Sequence, residues 1–189
     1  LCIKYDSKLL IDEAHAFGVM GPEGRGESFG LKEPISIISG TFGKAFGSGG
    51  AFLATDKLTG EKLIQNCGAF RYTTALAPPL CASALAALNL IESNPCWGIE
   101  LKEKSIAIRN RLSQIGWQRP NGEGPIISII LGSDELAIDY QQRLEARGLL
   151  TVAIRPPTVP EGQSRLRLVI RRNTPVHAFE RLIEVLKNK

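Results

Sequence analysis

The chain is short of the residues that build disulfide frameworks and metal centres. It has four cysteines and two histidines in 189 residues. Cys2, Cys67, Cys81 and Cys96 form no C-x-x-C pair and have no histidine at metal-ligand spacing. That argues against a metal site and for free, buried thiols in a reducing, cytoplasmic compartment. Aromatic residues are also scarce, at 6%. Arg165, Arg167, Arg171 and Arg172 form a basic cluster, but it lacks the interleaved aromatics on which single-stranded nucleic acids stack. It reads as a solvated face, with no nucleic-acid partner expected. No apolar run reaches the length of a membrane span. The longest stretch, Thr74 to Ile91, is interrupted by Pro78, Pro79, Ser83 and Asn89. The net charge of +4 is modest, and there are no internal repeats.

What is present is glycine, alanine and short apolar runs. Leu9–Asp12, Ile35–Ser39 and Ala51–Thr55 read as short, fully buried strands of a mostly parallel sheet. Glycines 18, 21, 24, 26 and 30 mark a long loop after the first of them. Pro78-Pro79 opens an alanine-rich helix to about Glu92. Asn94-Pro95 is the expected boundary, dividing the chain into 1–93 and 94–189. The second part reads as a helix near Trp97–Ile115, a strand at Ile126–Leu131 and a helix near Glu135–Arg147. Strands near Leu150–Ile154 and Ser164–Val169 and a last helix, Pro175–Lys187, complete a small α+β domain. Leu1-Cys2-Ile3-Lys4 runs directly into the first strand, as though the chain opened within a domain. His177, at the start of the last helix, reads as a surface residue without a role.

Three segments carry chemistry. Asp12-Glu13-Ala14-His15 places a carboxylate at the C-terminal end of a strand, where open α/β sheets bind ligands. The residue Asp12 either caps the following loop or meets a cation. Ser39-Gly40-Thr41-Phe42-Gly43-Lys44, with glycines at 47, 49 and 50, sets a lysine among small residues. A nucleotide-binding Walker loop is excluded, because Lys44 is followed by Ala45 and Ile38 stands where that motif's first glycine belongs. Without a phosphate loop, the helicase reading of Asp-Glu-Ala-His has nothing to act with. An amine in open surroundings suits Schiff-base attachment to an aldehyde. The third segment, Ile154-Arg155-Pro156-Pro157-Thr158-Val159-Pro160, leaves an arginine beside a stiffened loop. Its planar fork suits a carboxylate.

Taken together, Asp12-Glu13-Ala14-His15 and Thr41-x-x-Lys44 with its glycine-rich tail resemble the cofactor site of the α-oxoamine synthases. These are fold-type I enzymes that depend on pyridoxal 5′-phosphate (PLP). The separation of Asp12 from Lys44 also matches that family. The resemblance implies an α/β fold: the C-terminal part of an aspartate aminotransferase-like large domain, then a small α+β domain. It implies that Lys44 carries PLP, that Asp12 faces the pyridinium nitrogen and that His15 bonds the 3′ oxygen. Thr41 is implied to serve the phosphate, and Thr74 to reach the phosphate of the neighbouring subunit in a homodimer. The Arg-Pro-Pro step is similar to the branch that condenses L-alanine with pimeloyl-CoA or pimeloyl-acyl carrier protein. In that branch Arg155 holds the amino acid's carboxylate and Thr158 contacts substrate. Two other readings stay open: a sister enzyme using glycine or serine, and an inactive remnant without the family's N-terminal half.

Overall fold

The computed structural model describes residues 1–31 and 34–187. The chain divides into two units, Leu1–Gly98 and Ile99–Lys189.

The first unit is built on a three-stranded sheet in the order β1 (Leu10–Asp12), β2 (Ile37–Thr41), β3 (Ala51–Thr55). The strands β1 and β2 run parallel, with Asp12 opposite Ser39. The pairing of β2 with β3 is antiparallel, with Thr41 opposite Ala51 and Gly40 opposite Phe52. The expectation of a mostly parallel sheet is therefore corrected at β3, because the turn at 42–50 is too short for a crossover and can only fold the chain back. The strands are also less buried than expected. Leu10 of β1 and Leu53 of β3 are exposed. One sheet face is covered by an aromatic cluster in which Phe17 stacks on Phe46 with centroids 4.9 Å apart and meets Phe42 and Phe52 edge-on. The ring of Phe52 lies over Gly40, where a Cβ would come within 2.4 Å of it.

Helix α1 (Lys57–Asn66) follows β3. Asp56 starts it as N-cap, accepting from the Thr59 N–H at 3.0 Å and the Thr59 hydroxyl at 2.6 Å. The short α2 (Gly68–Arg71) leads to α3 (Pro78–Glu92), which the two prolines open as the sequence implied. All four thiols are unpaired, but Cys81 and Cys96 are exposed and the other two half-buried, so they are not the buried thiols expected.

The second unit has the expected α+β order: α4 (Trp97–Gln114, beginning just before the division), β4 (Ile126–Gly132), α5 (Asp134–Glu145), β5 (Val152–Ile154), β6 (Ser164–Val169) and α6 (Val176–Lys187). Its antiparallel sheet runs β4-β6-β5. Strand alternation sends Ile127, Ile129, Leu166 and Leu168 into a core with Leu112, Leu144 and Leu186 from the three helices. Inside this unit Arg109 is buried, its guanidinium donating to the carbonyls of Ser105, Asn121 and Ile126. Burial, with Arg119 nearby, lowers its pKa from the ordinary value. The opposite sheet face carries Ser128, Arg165 and Arg167.

Candidate functional site

Because β1 and β2 are parallel, their C-terminal ends meet at one edge of the sheet. Asp12 is the last residue of β1, and β2 ends at Thr41, where the chain enters the turn that carries Lys44. The register puts Asp12, Ser39 and Thr41 on a common face. A cleft of about 290 Å³ opens there, walled by Asp12, Ser39, Thr41, Ala51, Leu53 and Phe70 among others. Asp12 is exposed, and one of its oxygens accepts from the Ala14 N–H at 2.9 Å. Its Oδ2 has no hydrogen-bond partner among the described residues. The carboxylate thus caps its own turn with one oxygen and leaves the other unengaged among the described residues.

The exposed Lys44 side chain is in no hydrogen bond or ion pair among the described residues, and it is not a wall of the cleft. Its turn is tightly closed. The Thr41 hydroxyl donates to Gly50 O at 3.0 Å and accepts from Gly43 N–H at 3.1 Å. The amides of Phe42, Gly47 and Ser48 bond to Gly50 O, Lys44 O and Phe42 O. The Thr41 hydroxyl is therefore engaged in shaping the turn, and its proton would have to leave Gly50 O to serve a phosphate. His15 is exposed within the turn that follows β1, where Ala16 and Phe17 N–H both donate to Glu13 O.

Thr74 is exposed in the link between α2 and α3. That link and the first turn of α3 are pinned to the lysine turn. A Cβ on Gly50 would stand 2.4 Å from Leu76 Cδ1, and the Ser48 hydroxyl donates to Leu80 O at 2.7 Å. Gly49 and Gly50 are thus explained by the close approach of Leu76 and Leu80, which spacing alone does not reveal. In the second unit, Arg155 and Thr158 are exposed just after β5, with Thr158 N–H donating to Arg155 O at 3.0 Å. The guanidinium of Arg155 is unpaired among the described residues.

Two residues gain weight from the structure. Glu13, the unremarked second letter of the first motif, is 2% exposed and accepts two backbone bonds. Arg167 sits on the open sheet face with its Nε buried and without a hydrogen-bond partner among the described residues. A buried guanidinium N–H without a partner is a donor that still calls for an acceptor. The alternation of Arg165-Leu166-Arg167 in a strand was the signal for its orientation.

A sheet edge that carries a carboxylate and leads directly into a turn with an exposed amine defines a candidate site for a carbonyl-type cofactor. The chain belongs to the family described as Aminotransferase class I and II, which matches residues 1–186. A curated relative, 8-amino-7-oxononanoate synthase of Methylobacillus flagellatus, is 39% identical over 98% of this chain and 48% of its own length. Among solved structures, a serine palmitoyltransferase variant from S. paucimobilis with a bound PLP–myriocin aldimine superposes with a TM-score of 0.88 at 26% identity, covering 98% of this chain and 48% of that one. The 8-amino-7-oxononanoate synthase of Francisella tularensis gives 0.84 at 28% identity, covering 98% and 56%. The α/β fold implied by the motifs is the fold of these proteins. The chain spans about half the length of the curated relatives it matches. Among the described residues no helix is long and apolar enough to cross a membrane, and no cluster of metal-ligating side chains occurs.

Proposed function

We propose that this chain carries the PLP-anchoring part of an α-oxoamine synthase. The whole enzyme condenses L-alanine with a pimeloyl thioester, on coenzyme A or acyl carrier protein, and releases CO2. The product is 8-amino-7-oxononanoate, for biotin synthesis in the cytoplasm. The supporting observation is the shared edge of β1 and β2, where Asp12 and the Lys44 turn emerge together. The names of the relatives from M. flagellatus and F. tularensis point the same way.

The residues present fit PLP: an accessible amine, a carboxylate with an unengaged oxygen, and a cleft with the flat or apolar walls Ala51, Leu53 and Phe70. When bound, PLP supplies an electron sink for the bonds broken at the amino acid's α-carbon. Asp12 would hold the positive charge of the ring nitrogen. His15 would bond the 3′ oxygen, and Thr41, once its hydroxyl leaves Gly50 O, would serve the phosphate. Lys44 Nζ would be the point of attachment and the base that takes the amino acid's α-proton. Thr74 would serve the phosphate of the partner subunit's cofactor in a homodimer. Arg155 grips the carboxylate with two parallel bonds, and Thr158 touches substrate. Orientation of this kind can contribute on the order of 7 kcal/mol to lowering a barrier. The buried Nε of Arg167 makes it a second candidate for the carboxylate.

The rival within the family uses serine or glycine, and the serine palmitoyltransferase likeness favours it. CO2 release by the full-length enzyme, with alanine, glycine and serine offered against pimeloyl and acetyl thioesters, decides between them. The expected result is turnover with alanine and the pimeloyl thioester. Turnover only with serine or glycine overturns the assignment. Arg155→Ala is expected to raise KM for the amino acid by about 100-fold, the loss of a charge-assisted bidentate contact. If Arg167→Ala alone does so, that role passes to Arg167.

A further inference from the structure

Glu13 stands between Asp12 and His15 in sequence, yet it is turned into the protein while both neighbours are exposed. Its two carboxylate oxygens accept from adjacent amides, Glu27 N–H at 3.1 Å and Ser28 N–H at 2.6 Å. An acceptor-only group suits that pair, since an amide in its place would turn its own N–H groups toward a donor. The backbone has been cleared for it. Gly26 has φ +95°, and a Cβ there would stand 2.8 Å from the Glu13 carboxyl carbon. The main chain of Glu13 is equally engaged. Its N–H donates to Ser39 O at 2.8 Å, and its carbonyl accepts from Ala16 and Phe17.

From Phe17 the contacts continue to the turn that carries the lysine. The Phe17 ring stacks on Phe46 and meets Phe42 at 6.5 Å, and these two rings flank Lys44 in sequence. At Gly18 a Cβ would come within 3.0 Å of the Phe46 ring and 3.1 Å of the Ala45 Cβ, so the chain after Phe17 lies directly on the Lys44 turn. We propose that Glu13 is a positioning residue: its carboxylate, clamped by the 27–28 amides, fixes the seat of Phe17 and through it the turn that presents Lys44. The consequence for cofactor binding rests on the PLP reading above. The clamp itself does not.

The test uses Glu13→Gln, Gly26→Ala and their combination, at a temperature where each is folded by circular dichroism. Two quantities are read: hydrogen exchange at the turn amides of Phe42, Gly47 and Ser48, and the Kd for PLP by absorbance. Each single variant is expected to speed exchange at the turn by about tenfold and to weaken PLP binding by a similar factor, the scale of a lost buried acceptor. The double variant is expected to be no worse than either single one, because both disturb the same contact. Acceleration confined to residues 27–28, with the turn and PLP affinity unchanged, overturns the proposal, as does weaker PLP binding without faster exchange at the turn. If Glu13→Gln does not fold, Gly26→Ala decides, since it displaces the carboxylate without removing it. If the unaltered chain binds no PLP while the exchange pattern holds, the clamp stands and the cofactor reading falls.

Discussion

Leu166, in β6 of the second unit, is fully buried, while Leu85, midway along α3 of the first, is 59% exposed. The contrast holds across the two units. In the second, every helix and both long strands give residues to one core. In the first, Phe46 is the buried large apolar side chain among the described residues, and α1, α2 and α3 bury none. Yet the first unit holds Asp12, His15 and Lys44. Its local geometry rests on polar clamps and close glycine contacts, through Glu13, Thr41, Ser48 and Gly50, more than on apolar burial. The second unit is thus held by an apolar core of its own, while the first, in a chain that spans about half the length of its relatives, leaves the apolar side chains of α3 exposed.

Substitutions at those two leucines test the contrast most strongly. Leu166→Ala is expected to cost the second unit about 2–5 kcal/mol, the range for emptying a filled core position. Leu85→Ala is expected to change stability by less than about 0.5 kcal/mol, since an exposed position in a helix loses little on truncation. Urea unfolding followed separately in the two units measures both. Equal costs would show that α3 is covered in solution and would erase the contrast.

The smallest effect is electrostatic and lies in the second unit. Lys102, 2.5 Å away, holds the Glu123 carboxyl below its ordinary value of 4.5. A depressed carboxyl pKa adds stability that is complete above the ordinary value and is lost as pH falls through the lower folded value. Glu123→Gln is therefore expected to lower the urea midpoint slightly at neutral pH, with the gap closing in acid. A gap that widens in acid contradicts the pairing.

The end of β1, the limits of β3, the helix opened by Pro78-Pro79 and the α+β order of the second unit were legible because hydrophobic period and proline placement act locally. β2 lies two residues later than its apolar run suggests, at Ile37–Thr41, because pairing with β1 and β3 sets its limits. α1 was missed, although Asp56 with Thr59 is a readable N-cap, because Gly60 and its polar residues weaken the apolar period. At the site, Asp12 and Lys44 could be picked out by residue type. The inward turn of Glu13 and the orphaned Nε of Arg167 could not, since both depend on which backbone amides and strand faces come together in space.

The central claim is that Lys44 Nζ holds the cofactor. Borohydride reduction of the protein after incubation with PLP, followed by peptide mass spectrometry, tests it directly. One pyridoxyl label is expected, on Lys44, with its loss in Lys44→Ala. A label on another lysine, with residue 44 unmodified, would contradict it.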